Sequence, residues 1–456
     1  MAYIERPRFS CALGGALETI NSLPNTVPII HAASGCGGNL FSSQQQGGFY
    51  GSGFCGGLAV PSSNISESDI IFGGEDRLKE QVGTTLEIIE AELFIVVTGC
   101  MTEIIGDDAK SVVNHFKASK KPVLAISTGG FNGNSYRGYD LVLKTIFTEF
   151  LPKVATKQKN LVNLWGLVPG KDPFFRGDLE ELKRLLGLLG LEVNTFFGHS
   201  DTLANLYSAN TASANIVLSR VYGIETAVSF EEKHGTPFIV QDLPIGATAT
   251  AEFLFNIAEF LGIDRQLVTQ VVANEKKHFY YYVERIIDIY LDSELQHYAI
   301  VVENANYCYS VTRFLAEDLG WIPVVSVITD KLEEEQKQLL SSTFKDFSSI
   351  KAPELLFETN TSAVLPLLTG NKDQVGTTLR TDIQPGSLNE NYLQTIRPLF
   401  VFGSSLELEL ANRLGAKSLS ISFPLTTRAV LNRSYAGFRG GLHLFEDTLN
   451  VLLSGR

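Results

Sequence analysis

The feature that most constrains this chain is an alternation of short Ile- and Val-rich runs with longer amphipathic segments. Runs at 26–33, 69–72, 93–98 and 122–127 read as buried strands, separated by helical patterns at 76–91 and 102–119 and followed by one at 136–151. Strand–helix–strand order implies parallel sheet with helices on both faces. The pattern restarts at 161–167 and passes through a helix at 178–189, strands at 192–197 and 237–242, and a helix at 249–261. A third start lies at 297–303, with strands at 323–328, 354–358, 399–402 and 418–422 and a helix at 406–413. The expected fold class is α/β, with three successive doubly wound, Rossmann-like units of about 150 residues each. Their expected bounds are 1–158 for an N-terminal arm with the first unit, 159–295 for the second, and 296–456 for the third. The second would end in a long connecting helix over 266–295.

Charge and hydropathy narrow the partners. A formal net charge of −13 over 456 residues argues against a nucleic-acid surface, which needs a basic patch. No run approaches the roughly 18 apolar residues of a membrane span, and the first residues lack the apolar core of a signal peptide. Five cysteines without a paired framework suit a reducing cytoplasm.

Three of those cysteines stand among small residues in the first hundred positions: Ser10-Cys11-Ala12, Gly35-Cys36-Gly37 and Gly99-Cys100-Met101. Soft thiolates on short glycine-rich loops suit iron–sulfur clusters, because small neighbours admit bulky sulfide and leave loop N–H groups to donate to it. Buried, inert thiols are the alternative, and no CxxC pair decides between the two. In open parallel sheets ligands gather outside the carboxyl ends of the strands. Cys36 and Cys100 each follow a strand, and Cys11 lies in an arm that can fold back over the same edge. Cys55, in Gly53-Phe54-Cys55-Gly56-Gly57, reads as structural although its setting permits a fourth ligand, and Cys308 reads as a core thiol between aromatic residues.

These segments resemble the nitrogenase-like family, in its β-subunit type. Ile71-Phe72-Gly73-Gly74-Glu75, then Thr98-Gly99-Cys100-Met101-Thr102-Glu103-Ile104-Ile105-Gly106-Asp107-Asp108, is similar to that family's pattern of a cluster cysteine opening a helix. His31-Ala32-Ala33-Ser34-Gly35-Cys36 resembles its His-Gly-x-x-Gly-Cys step, and Cys11-Ala12-Leu13-Gly14-Gly15-Ala16 occupies the place of its first cysteine loop. Near the carboxyl end, Ser422–Arg428 and Asn432–Gly437 resemble its closing strand and glycine-rich turn.

The resemblance implies a nitrogenase component 1-like fold and an αβ heterodimer paired again as an α2β2 heterotetramer. Each half would give three cysteines, here Cys11, Cys36 and Cys100, to an interfacial P-cluster-type (8Fe-7S) centre. Phe72 matches the aromatic residue near which the ATP-dependent iron–sulfur reductase docks, although a lone Phe ending a strand also suits a core. Asp107 and Asp108 read as helix caps rather than metal ligands. The chain departs from the family at Ser127-Thr128-Gly129-Gly130-Phe131, where Gly130 stands in place of a serine that can ligate the cluster, and at 36–40 and 44–48. It has no cysteine between Cys100 and Cys308, and its seven histidines, His443 among them, do not match the catalytic motif. The catalytic cofactor is therefore expected on the α-like partner. This chain would relay electrons to it, and the reaction implied by overall similarity is reductive C–S cleavage of small methylthio-alkanes, as in methylthio-alkane reductase. The alternatives are a nitrogenase β subunit, a cofactor-assembly scaffold, a light-independent tetrapyrrole reductase subunit with a 4Fe-4S cluster, and a non-enzymatic small-molecule binding protein.

Overall fold

The computed structural model describes residues 8–38, 47–48, 60–117, 119, 121–345, 347, 352–369 and 398–454. Every strand pair in its three sheets is parallel. In the first sheet, β1 (Thr26–His31), β2 (Leu93–Thr98) and β3 (Val123–Ile126) lie in sequence order. Their crossovers carry α2 (Glu67–Phe72), α3 (Glu75–Ile88), α4 (Cys100–Ile105) and α5 (Ala109–Asn114). Leu78 and Val82 of α3 join Val112 and Val113 of α5 against Ile29, Phe94 and Val96 of the sheet. Against the same sheet also pack α1 (Ala12–Ser22) and α6 (Ser135–Thr145), which lie directly on each other. Continuous burial of β2 explains its unbroken apolar run Leu93-Phe94-Ile95-Val96-Val97.

The second sheet has the order β5 (Glu192–Asn194), β4 (Gln158–Trp165), β6 (Ala212–Val217), β7 (Phe238–Val240), with α7 (Phe175–Leu188), α8 (Leu203–Ser208) and α9 (Ile224–His234) between its strands. Helices α10 (Gly246–Leu261), α11 (Arg265–Val283) and α12 (Ile287–Asp292) follow. The third sheet orders β10 (Glu354–Phe357), β9 (Ile322–Ile328), β8 (Tyr298–Glu303), β11 (Leu399–Gly403) and β12 (Lys417–Ser420). Its chain order 3-2-1-4-5 is doubly wound. With it belong α13 (Ala305–Glu317), α14 (Glu334–Thr343), α15 (Thr361–Thr369), α16 (Leu408–Leu414) and α17 (Gly437–Leu453). Phe9–Gln241 with Ala429–Asn432 form one compact unit, holding the first two sheets, while Asp242–Arg428 and Arg433–Arg456 form another around the third. Among the described residues no helix is long and apolar enough to cross a membrane.

Local chemistry redraws several expected elements. The run at 69–72 is the end of helix α2, because Asp69 accepts hydrogen bonds from the Ser66 N–H and hydroxyl in a capping box. The helix expected over 102–119 breaks at Gly106, whose φ of 83° ends α4 in the left-handed region. The long connector divides after Val283. Strand β6 had no expected counterpart: its sequence Ala-Ser-Ala-Asn-Ile-Val lacks a run of large apolar residues.

Candidate functional site

The carboxyl ends of β1 and β2 set the frame. The His31 carbonyl at the end of β1 accepts from the Gly99 N–H at 2.9 Å and from the Thr102 hydroxyl at 2.8 Å. These bonds fix the turn into α4, so Cys100, its first residue, stands beside the end of β1. Cys36 lies on a short 3-10 turn, Ser34–Gly37, five residues beyond His31. A Cβ added to Gly35 or Gly38 would meet nothing within 4 Å, so the chain leaves space beside this thiol.

Cys11 reaches the same place from the other side. It caps the start of α1 and makes an isolated antiparallel bridge with Asn134, while Ala12 N–H donates to the Gly133 carbonyl at 3.0 Å. Gly130 then lies between two of the cysteines. Its N–H donates to Cys100 Sγ at 3.0 Å, and a Cβ there would stand 3.1 Å from that sulfur and 3.4 Å from Cys11 Cβ. Burial raises the Cys36 thiol pKa above its ordinary value, and the neighbouring Cys11 and Cys100 thiols push it the same way. No disulfide joins Cys11, Cys36, Cys100 or Cys308.

Two carboxylates that read as ordinary motif residues hold this frame. Glu103, on the turn of α4 after Cys100, accepts from Gly129 N–H at 2.6 Å through Oε1 and from Asn132 Nδ2 at 3.1 Å through Oε2. Asp107 is not a helix cap: it pairs with buried His31 Nε2 at 3.0 Å and accepts from Gly74 N–H at 3.0 Å. The cap of α5 is Asp108, which accepts from Ser111 N–H at 2.9 Å. His31 Nδ1 meets Ser63 Oγ at 3.0 Å, and burial lowers its pKa despite Asp107. One signal for Glu103 was available in sequence, since positions three apart on a helix share a face. Nothing in sequence ties Asp107 to a histidine 76 residues earlier.

Phe72 is a surface residue, not core: it is 86% exposed at the end of α2, beside Ile71 at 73%. Thr128 is occupied as well, its buried hydroxyl donating to the Thr98 carbonyl at 2.8 Å. Cys308 is fully buried on α13, with its sulfur 3.8 Å from the Val327 carbonyl and its pKa well raised by burial. The imidazole of His443 meets the Ser434 carbonyl at 3.1 Å. Cys55 and positions 39–40 and 44–46 lie outside the described residues.

A family profile for nitrogenase component 1 type oxidoreductases matches residues 11–453, and the chain belongs to that family. Within it the chain is a divergent subunit of the β type. It is 25% identical over 371 residues to the nitrogenase molybdenum-iron protein beta chain of Bradyrhizobium diazoefficiens, covering 73% of this chain and 67% of that one. To the corresponding beta chain of Methanococcus maripaludis it is 22% identical over 488 residues, covering 98% of this chain and 94% of the relative. It is 25% identical over 349 residues to the nitrogenase vanadium-iron protein beta chain of Trichormus variabilis, covering 68% and 70%. The solved structure described as nitrogenase Cp1 at pH 6.5 shares the fold, with a TM-score of 0.77 at 16% identity, covering 100% of this chain and 94% of that chain.

Proposed function

We propose that this oxidoreductase subunit holds half of an interfacial iron–sulfur centre of the P-cluster type (8Fe-7S) through Cys11, Cys36 and Cys100. The observation that carries the reading is Gly130, seated between Cys11 and Cys100 with its N–H on the Cys100 sulfur. Among the described residues, no three His, Cys, Asp or Glu donors form a site for a metal ion. Three thiols beside a glycine-lined face suit a cluster whose remaining ligands a partner would supply. Such a centre, when bound, supplies reversible electron storage. The chain's own part is to present three sulfurs, donate an N–H to one of them, and keep side chains out at Gly35, Gly38 and Gly130. The α-like partner would complete an α2β2 heterotetramer and carry the catalytic cofactor. Phe72 and Ile71 form an exposed apolar tip suited to docking an ATP-dependent iron–sulfur reductase.

The test is anaerobic purification with the co-expressed partner, counting iron and acid-labile sulfide per αβ pair alongside low-temperature EPR. About eight irons in a shared centre support the reading. About four move the chain toward the tetrapyrrole-reductase type with a 4Fe-4S cluster, and none leaves the binding-protein alternative. For the reaction we propose reductive C–S cleavage of small methylthio-alkanes. Hydrocarbon release from such a thioether by the reconstituted system is expected, and ammonia from dinitrogen without it would replace that substrate.

A further inference from the structure

We propose that Glu103 is the positioning residue that aims the Gly130 N–H at the Cys100 sulfur, and that through this bond it sets the reduction potential of the centre. The second half rests on the function proposed above; the first does not. Glu103 Oε1 accepts from both Gly129 N–H at 2.6 Å and Thr98 Oγ1 at 2.5 Å, while Oε2 accepts from Asn132 Nδ2 at 3.1 Å. Thr98 in turn receives the Thr128 N–H on its hydroxyl at 3.2 Å and the Thr128 hydroxyl on its carbonyl at 2.8 Å. One carboxylate thus ties the loop 128–132 to the end of β2 and the first turn of α4. Gly129 and Gly130 have no side chains with which to hold that loop by packing. The next peptide along is the one whose N–H lies 3.0 Å from Cys100 Sγ.

Charge and hydrogen bond act in opposite directions on a potential. An N–H donated to sulfur stabilises added electron density and raises it, whereas a nearby carboxylate charge lowers it. Three substitutions separate the effects. Glu103→Gln removes the charge and keeps an oxygen for Gly129 and Thr98, with Asn132 able to turn its amide to match. Glu103→Asp keeps the charge but falls short by about 1.5 Å, one carbon–carbon bond. Glu103→Ala removes both.

The positioning is read first, by amide hydrogen exchange of peptides covering 128–132 in the full chain without metal. Faster exchange in the Asp and Ala variants, with Gln like wild type, is expected; unchanged exchange in Asp and Ala overturns the proposal. The potential is read next, by EPR-monitored redox titration of the αβ pair with iron counted in each variant. Asp should fall below wild type, and Ala below Gln, by about tenfold in a one-electron equilibrium, equivalent to about 59 mV. Equal potentials within both pairs at equal iron overturn the potential-setting half. If Ala loses its iron, Asp against wild type decides. A wild-type pair without iron would sink the proposed function while the exchange result still judged Glu103.

Discussion

Gly130 is where a single methyl group separates chemistry from stability. Its backbone is not in the left-handed region, so Gly130→Ala carries no conformational strain of the kind positive φ imposes. The added carbon would nevertheless stand 3.1 Å from Cys100 Sγ, where the proposed cluster would need room. Gly130→Ala is expected to lower iron per αβ pair while leaving the unfolding temperature of the chain nearly unchanged. Iron retained at the wild-type level would remove Gly130 from the site. The cysteines themselves separate in the same assay. Cys36→Ala and Cys100→Ala should each remove or convert the centre. Cys308→Ala, in the core of the third sheet, should keep iron nearly intact and cost about 1 kcal/mol of stability, a small-cavity effect. Equal iron loss in all three would contradict the assignment. The three small-residue settings were legible in sequence because cysteines, five in 456 residues, are rare enough to mark a site. The carboxylates beneath them were not, because Glu103 and Asp107 act on loops 26 and 33 residues away.

Helices α1 and α6 touch backbone to backbone. A Cβ on Gly15 would fall 1.9 Å from the Ser135 carbonyl oxygen, and one on Gly138 would fall 2.2 Å from that of Ala12. Neither neighbour is a flexible side-chain tip, so the helices would have to separate. Gly138→Ala should therefore destabilise by at least the ~1–3 kcal/mol of ordinary overpacking. It should also lower iron content, since Cys11 caps α1. A stable variant with full iron would break this link between helix packing and thiol placement. Helix α6 also carries Asp140, whose Oδ1 accepts the Gly223 N–H at 2.7 Å and whose pKa burial pushes up to about 7. Arg137 opposes that rise, while Glu225, held down to about 2 by Arg137 and then Lys144, adds to it. Because the folded value exceeds the ordinary 3.8, the folded chain binds this proton more tightly than the unfolded chain. Its contribution is intact below about pH 4 and is lost as pH rises through about 7. Thermal unfolding across that window should show wild type losing stability relative to Asp140→Asn, whose amide oxygen can keep the Gly223 bond. Parallel profiles would refute it. At this scale the strands of all three sheets were legible wherever Ile and Val ran together. The exceptions, α2 and β6, turn on a capping carboxylate and on a strand made largely of small and polar residues, neither of which a hydrophobic pattern registers.

Across the whole chain, the cysteines are divided as the proposed half-site requires. Cys11, Cys36 and Cys100 belong to the compact unit of the first two sheets, and no cysteine occurs between Cys100 and Cys308. The second sheet therefore carries no thiol, and the Cys308 sulfur is enclosed against Val327 in the third. If the three cysteines on this glycine-lined face ligate the proposed centre, they leave the remaining coordination of a large cluster to another chain. Expressed alone, the protein should accordingly bind far less iron than when its α-like partner is co-expressed. Iron content should rise with the fraction of paired chains on anaerobic size-exclusion chromatography. Because metal binding is linked to folding and assembly, chelation of the pair should lower its unfolding temperature and its pairing together. It should leave the lone chain's unfolding temperature unmoved. A lone chain that carried the full complement of iron would mean a self-contained site. That outcome would shift the reading from a shared electron-relay centre to a cluster held by this subunit alone.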